Sequence, residues 1–236
     1  MGKIKNVNDI RPELKEKRLT QMIDQYKEYC ENVDQIHVYI ANGNRKTGAA
    51  VPSVSLIPIF NCRNCAACQD KCYDLRNDCC YPGCADKRAM NAAILEMDRA
   101  RYFREINDAV KAFRFFRWHI GGDIVDDDYL FWMTLIASIN PHCKFLCFTK
   151  SFDIVNNYMM NGGFLPDNLQ IIFSNWVGQK ENNPFNFPTS KPLFLDGTTT
   201  AHDGAYWCSG NCTECAKENA KCWSLKPGEE VIFPIH

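Results

Sequence analysis

The stretch Phe115-Phe116-Arg117-Trp118-His119-Ile120-Gly121-Gly122-Asp123 decides how the rest of this 236-residue chain is read. It is a run of strand-forming residues that stops at a paired-glycine turn, and a regular succession follows it. Residues 126–140 carry Tyr129, Leu130, Trp132, Met133, Ile136 and Ala137 at helical spacing until Pro141 ends the pattern. Lys144-Phe-Leu-Cys-Phe-Thr149 reads as the next strand, residues 151–160 as a short helix, and Leu169-Gln-Ile-Ile-Phe-Ser174 as a further strand. Strands separated by helices must pair in parallel, because a helical crossover returns the chain to the same end of the sheet. The fold class expected is α/β: a single-domain incomplete (β/α) barrel, TIM-barrel-like, with a doubly wound sheet as the second architecture. In both, chemistry collects where strands end at their carboxyl edge.

Working outward, residues 85–112 interleave alanine and larger apolar residues with charges at helical spacing. Val54-Ser-Leu-Ile-Pro-Ile-Phe60 reads as a strand that delivers the chain into Cys62, with Pro58 pointing to an edge, an end or a bulge. Ile36-His-Val-Tyr-Ile40 alternates like a strand, and residues 11–33 read as a polar amphipathic helix within an N-terminal helical segment, 1–33. Beyond Gly178 a loop rich in turn formers leads to a short strand at Pro192 to Asp196, then to a second group of cysteines and a last strand at residues 231–236. No linker divides the chain, so residues 1–236 are expected to form one domain, with cysteine-rich metal-binding loops at 62–84 and 208–222.

The formal charge of −1 argues against nonspecific nucleic-acid binding, which needs a positive excess to displace counterions from phosphates. The opening residues are too polar for a secretory signal, and no apolar run approaches the length of a membrane span. A cytoplasmic setting is expected. Fourteen cysteines in a reducing compartment point to metal or redox work rather than to disulfides.

Cys62, Cys65, Cys68 and Cys72 have the Cys-x2-Cys-x2-Cys-x3-Cys spacing of bacterial ferredoxins, although Tyr73 stands where that run has proline. Cys208, Cys212, Cys215 and Cys222 form the second group. All-thiol sets favour iron–sulfur clusters or zinc over hard ions. The compressed spacing favours one or two clusters of the 4Fe-4S type, with zinc as the alternative; spacing alone does not assign each thiol to a cluster. The run Cys208-x3-Cys212-x2-Cys215 also resembles the three-cysteine loop of radical S-adenosylmethionine enzymes, but it lies late in the chain and has Glu214 where those enzymes usually carry an aromatic residue.

Arg117, His119, Asp123 and Lys150 make the second constellation. Alternation along the strand sets Arg117 and His119 on one face, where positive groups would hold a small anion and His119 would deliver protons. The bland alternative is a buried Arg117–Asp123 ion pair with His119 bonded nearby.

Lys46-Thr-Gly48, Cys62, Cys72-Tyr73, Phe116 to Ile124, Phe148-Thr-Lys150, Ser174, the late cysteines and Phe233-x-x-His236 together resemble the gene-product-88-like proteins, mostly from bacteriophages. The resemblance runs from about residue 43 to the C-terminus and implies a phage or prophage origin, hence a host cytoplasm. It brings no assigned activity; it supports Cys62, Cys68, Cys72, Arg117, His119, Asp123, Lys150, Cys212, Cys215, Cys222 and His236 as motif positions.

The function expected is an oxygen-sensitive iron–sulfur oxidoreductase that reduces a small oxidised anion, sulfite-like or nitrite-like, using an unidentified electron donor. A radical S-adenosylmethionine-like enzyme and a zinc-stabilised protein binding a host partner or nucleic acid are the rival readings.

Overall fold

The computed structural model describes residues 10–43, 51–66, 68–176, 179, 181–193, 199–218 and 220–234. Seven parallel strands form one sheet. They are β1 (Ser53–Val54), β2 (Phe115–Trp118), β3 (Lys144–Thr149), β4 (Leu169–Ser174), β5 (Thr189–Leu193), β6 (Tyr206–Trp207) and β7 (Glu230–Pro234), in the order β1-β2-β3-β4-β5-β7-β6. The first five follow chain order without reversal, so this part of the sheet has no topological switch point of the doubly wound kind.

Helices α1 (Pro12–Glu31), α2 (Tyr73–Cys80), α3 (Pro82–Met97), α4 (Arg99–Val110), α5 (Asp127–Ile139), α6 (Phe152–Met160) and α7 (Cys212–Glu218) complete the succession. Local chemistry sets their ends. Asp126 caps α5 by accepting from the Tyr129 amide at 2.8 Å, and Asp127 and Asp128 in the first turn suit the positive end of the helix. Residues 85–112 divide into α3 and α4 because Asp98 leaves helical geometry and accepts from the Arg101 amide at 2.9 Å, starting a new helix.

The two faces of the sheet have different partners. Phe116, Trp118, Phe145, Cys147, Ile171 and Phe173 pack with the apolar sides of α3, α4, α5 and α6 in the main core. Phe115, Leu146, Ile172 and Val231, the alternate residues, pack instead around Trp223 and Leu225. Trp223 belongs to a 3-10 turn, Lys221–Trp223, that plugs the inner face.

Two expected strands are shorter or absent. Residues 36–40 are extended but unpaired with any strand: the Val38 amide donates to Glu105 Oε2 at 2.7 Å, and Asn91 exchanges bonds with both backbone groups of Tyr39. Helix side chains therefore satisfy backbone groups that a strand would have satisfied. The run to Phe60 stays in the sheet only at β1, on its edge, as Pro58 suggested, and turns after Ile57. Nor is 62–84 loop throughout, since α2 begins at Tyr73 and α3 at Pro82, and α7 occupies part of 208–222. Among the described residues, no helix is long and apolar enough to cross a membrane.

Candidate functional site

A hollow of about 680 Å³ opens on the inner face, where strand carboxyl ends meet the Trp223 plug. Residues from both ends of the sheet line it, Ser53 of β1 as well as Tyr206 of β6 and Phe233 of β7. Its side chains are stacked by the period-two alternation of the strands: Arg117 follows Phe115, Phe148 follows Leu146, and Lys150 follows Phe148. The Arg117 guanidinium lies 5.0 Å over the Phe148 ring, which meets Phe233 edge-on at 5.2 Å. Lys150 Nζ donates to Ser174 Oγ at 3.0 Å and lies 5.9 Å from the Trp176 ring.

Asp123 holds Lys150 in place from behind. Its carboxylate accepts from Thr149 Oγ1 at 2.6 Å, from the Lys150 amide at 2.8 Å and from its neighbour Ile124 at 2.7 Å, tying the turn after β2 to the end of β3. Burial raises its pKa against the pull of those bonds. The Asp123 carboxylate is thus taken up by the ends of β2 and β3, and the Arg117–Asp123 ion pair does not form.

His119 does not share the face of Arg117. The strand ends at Trp118, and His119 adopts a left-handed φ of 52°, which turns its ring to the helix side. There Nε2 lies 2.8 Å from Tyr129 Oη and Nδ1 3.8 Å from Cys147 Sγ. Burial, then the nearby Arg117 charge, depresses its pKa to about 3. The imidazole is buried on the helix side and is not part of the hollow's lining. Three residues on, Gly122 is obligatory: its φ is +82°, and a Cβ there would lie 2.6 Å from that of Leu56.

The eight cysteines expected as ligands lie in two places. Cys208, Cys212, Cys215 and Cys222 all line the hollow. Cys212 and Cys215 lie three apart on α7, hence on one side of it, and the Gly210 amide donates to Cys208 Sγ at 3.4 Å. Burial pushes Cys222 up to about 12, the other three thiols push in the same direction, and Arg117 opposes them. Cys62, Cys65, Cys68 and Cys72 lie in the loop after β1, anchored by Asn64 donating to the Lys150 carbonyl at 2.8 Å. Burial raises Cys62, with Asp123, Cys72 and Cys65 adding to it; burial also raises Cys68, where Lys150 opposes. Ile59, at the mouth of this loop, holds φ at 69°, a strained value for a β-branched residue. Among the described residues, no three ligand-type side chains stand close enough to form a ready metal site.

The model of the Gene product 88 family matches residues 38–189, well over half of the chain. The chain belongs to that family. The Gene product 88 match contains the first thiol group, Arg117, His119, Asp123 and Lys150, and stops before the second thiol group. No curated protein and no solved structure matches the chain. Two of the motif positions expected, Lys46-Thr-Gly48 and His236, lie outside the described residues.

Three residues of this family member escaped sequence reading. Arg88, inside the alanine stripe of α3, bonds Asp78 Oδ2 at 2.8 Å and Asp74 Oδ1 at 2.9 Å beside the hollow. Burial raises both carboxyls, Arg88 opposes it, and Arg88 itself is held charged. An arginine on an otherwise apolar stripe was the available signal. Ser53 and Trp223 carried none, because their place depends on strand register and on the fold of the C-terminal turn.

Proposed function

We propose that this Gene product 88 protein is an iron–sulfur redox enzyme of a phage or its host's cytoplasm, reducing an anionic substrate held in the hollow. The observation that carries the reading is the presence of four thiols, Cys208, Cys212, Cys215 and Cys222, in the lining of the same hollow as Arg117 and Lys150. We also read the sheet as an incomplete (β/α) barrel. The unreversed order of its first five strands, the helices on one side and the layered side chains on the other support that reading.

The donor sets suit soft metal chemistry. Buried thiols that raise one another's pKa are stabilised as thiolates by a bound cation, and the Gly210 amide already points at one sulfur. Cys208, Cys212, Cys215 and Cys222 would hold one cluster, and Cys62, Cys65, Cys68 and Cys72 a second. Iron–sulfur clusters, when bound, supply electrons one at a time. Arg117 and Lys150 attract and orient the anion, with sulfite and nitrite as its simplest forms. Phe148, Phe233 and Trp223 keep that place poor in water, which strengthens the charge interaction. The Lys150 ammonium, bonded to Ser174 Oγ, is the proton-bearing group at the rim.

The test is elemental and kinetic. Protein purified without air is expected to contain iron and acid-labile sulfide, to bleach on reduction, and to recover its colour when given sulfite or nitrite. Zinc without sulfide would instead make it a metal-stabilised binding protein. Cleavage of S-adenosylmethionine that disappears in Cys208→Ala would make it a radical enzyme.

A further inference from the structure

The hollow is far larger than a small oxyanion requires. A four-atom ion takes about two water molecules' share of space, roughly 60 Å³, against the 680 Å³ present here. Sites of about 300–1,000 Å³ bury whole organic molecules. The lining also supplies ring faces, with Phe148, Phe233, Tyr206 and Trp176 among them. Such faces favour a planar ligand body.

The charge of the hollow is specific to an anion. Arg88 is matched by Asp74 and Asp78, and Lys191 by Glu230 at 2.8 Å. Among the described residues no carboxylate lies within ion-pair distance of Arg117 or of Lys150 Nζ. Asp74 is near enough to feel Arg117, but its bond goes to Arg88.

The floor adds donors of its own. Ser53 and Arg117 are register partners across β1 and β2 and share the inner face. Ser53 is 1% exposed, and among the described residues its Oγ has no protein partner; neither has Arg117 Nε or Trp223 Nε1. Trp223 is tied to this floor by the Phe115 ring at 5.3 Å, and Arg117 is close enough to act on the thiol of adjacent Cys222. Two of the three groups can only donate, and the hydroxyl readily does. Buried polar groups left unmatched are rare enough to require an explanation, and an anionic acceptor that seats itself against this floor would supply one.

We propose that the hollow binds a phosphorylated small molecule of nucleotide size, its phosphate on Ser53, Arg117 and Trp223 and its planar body against the ring-lined wall. This names the substrate class of the redox site and rests on that reading. Calorimetric titration of the full chain, purified without air, tests it with the four common nucleoside monophosphates, their nucleosides, inorganic phosphate and sulfite. At least one monophosphate is expected to bind about tenfold or more tighter than inorganic phosphate and than its own nucleoside. Ser53→Ala is expected to weaken that ligand about fivefold, the effect of one lost hydrogen bond. Arg117→Lys, which keeps the charge but removes Nε, is a second variant should Ser53→Ala disturb the strand; it too is expected to weaken binding. The proposal is overturned if no monophosphate shows the tenfold margin, or if a folded variant binds as the parent does. Iron and sulfide are assayed on the same preparation. Monophosphate binding without sulfide sinks the redox reading alone, whereas electron transfer to sulfite without monophosphate binding sinks this one alone.

Discussion

The two faces of β2 are built from adjacent residues and meet different demands. Phe116 and Trp118 turn toward the helices, where both are fully buried and ringed by Phe103, Tyr129 and Phe145. Phe115 and Arg117 turn inward, toward the plug and the hollow, where Arg117 Nε has no protein partner among the described residues. One residue of displacement along the strand separates groups packed in the main core from groups that face the hollow. The difference teaches that stability and the binding proposed above are assigned to opposite sides, so substitutions on one face should leave the other property nearly untouched.

The largest effect is expected from Trp118→Ala, which empties a filled ring cluster and should cost about 3–5 kcal/mol in denaturant titration. A loss under about 1 kcal/mol would mean that the helix face is not where stability resides. His119 gives the next effect and sharpens the comparison through pH. Its pKa is depressed from 6.5 to about 3 in the folded chain, so between those values the unfolded chain binds a proton that the folded chain refuses. Stability should therefore fall as pH drops through that window, by up to about 1.4 kcal/mol per unit. His119→Asn, which tolerates the left-handed backbone, should flatten that acid slope in unfolding measured from pH 7 to pH 4. The smallest effect on stability is expected on the other face. Arg117→Met should shift unfolding by about 0.5 kcal/mol or less, yet reduce affinity for anions about tenfold or more, as read by titration calorimetry.

Much of the helix side was legible from sequence because long periodic segments announce themselves. Helices α1, α5 and α6 and strands β3 and β4 lie within a residue or two of where spacing puts them. The misses share a physical cause: partners distant in sequence override local pattern. Residues 36–40 alternate like a strand, but Glu105 and Asn91 take their hydrogen bonds. His119 follows strand alternation on paper, but one positive φ turns it over. The nearness of Cys222 to Arg117 and of Cys68 to Lys150 depends on strand order that no cysteine spacing encodes. Ser53 lay in an unremarked stretch, and only its register against Arg117 gives it a role.

Both outermost strands, β1 and β6, are two residues long. An open sheet normally invites a foreign strand to add to its border, and the invitation grows with the length of unpaired backbone on offer. Among the described residues each border presents little of it, so the sheet offers few free backbone groups on which a second copy of the chain could add a strand.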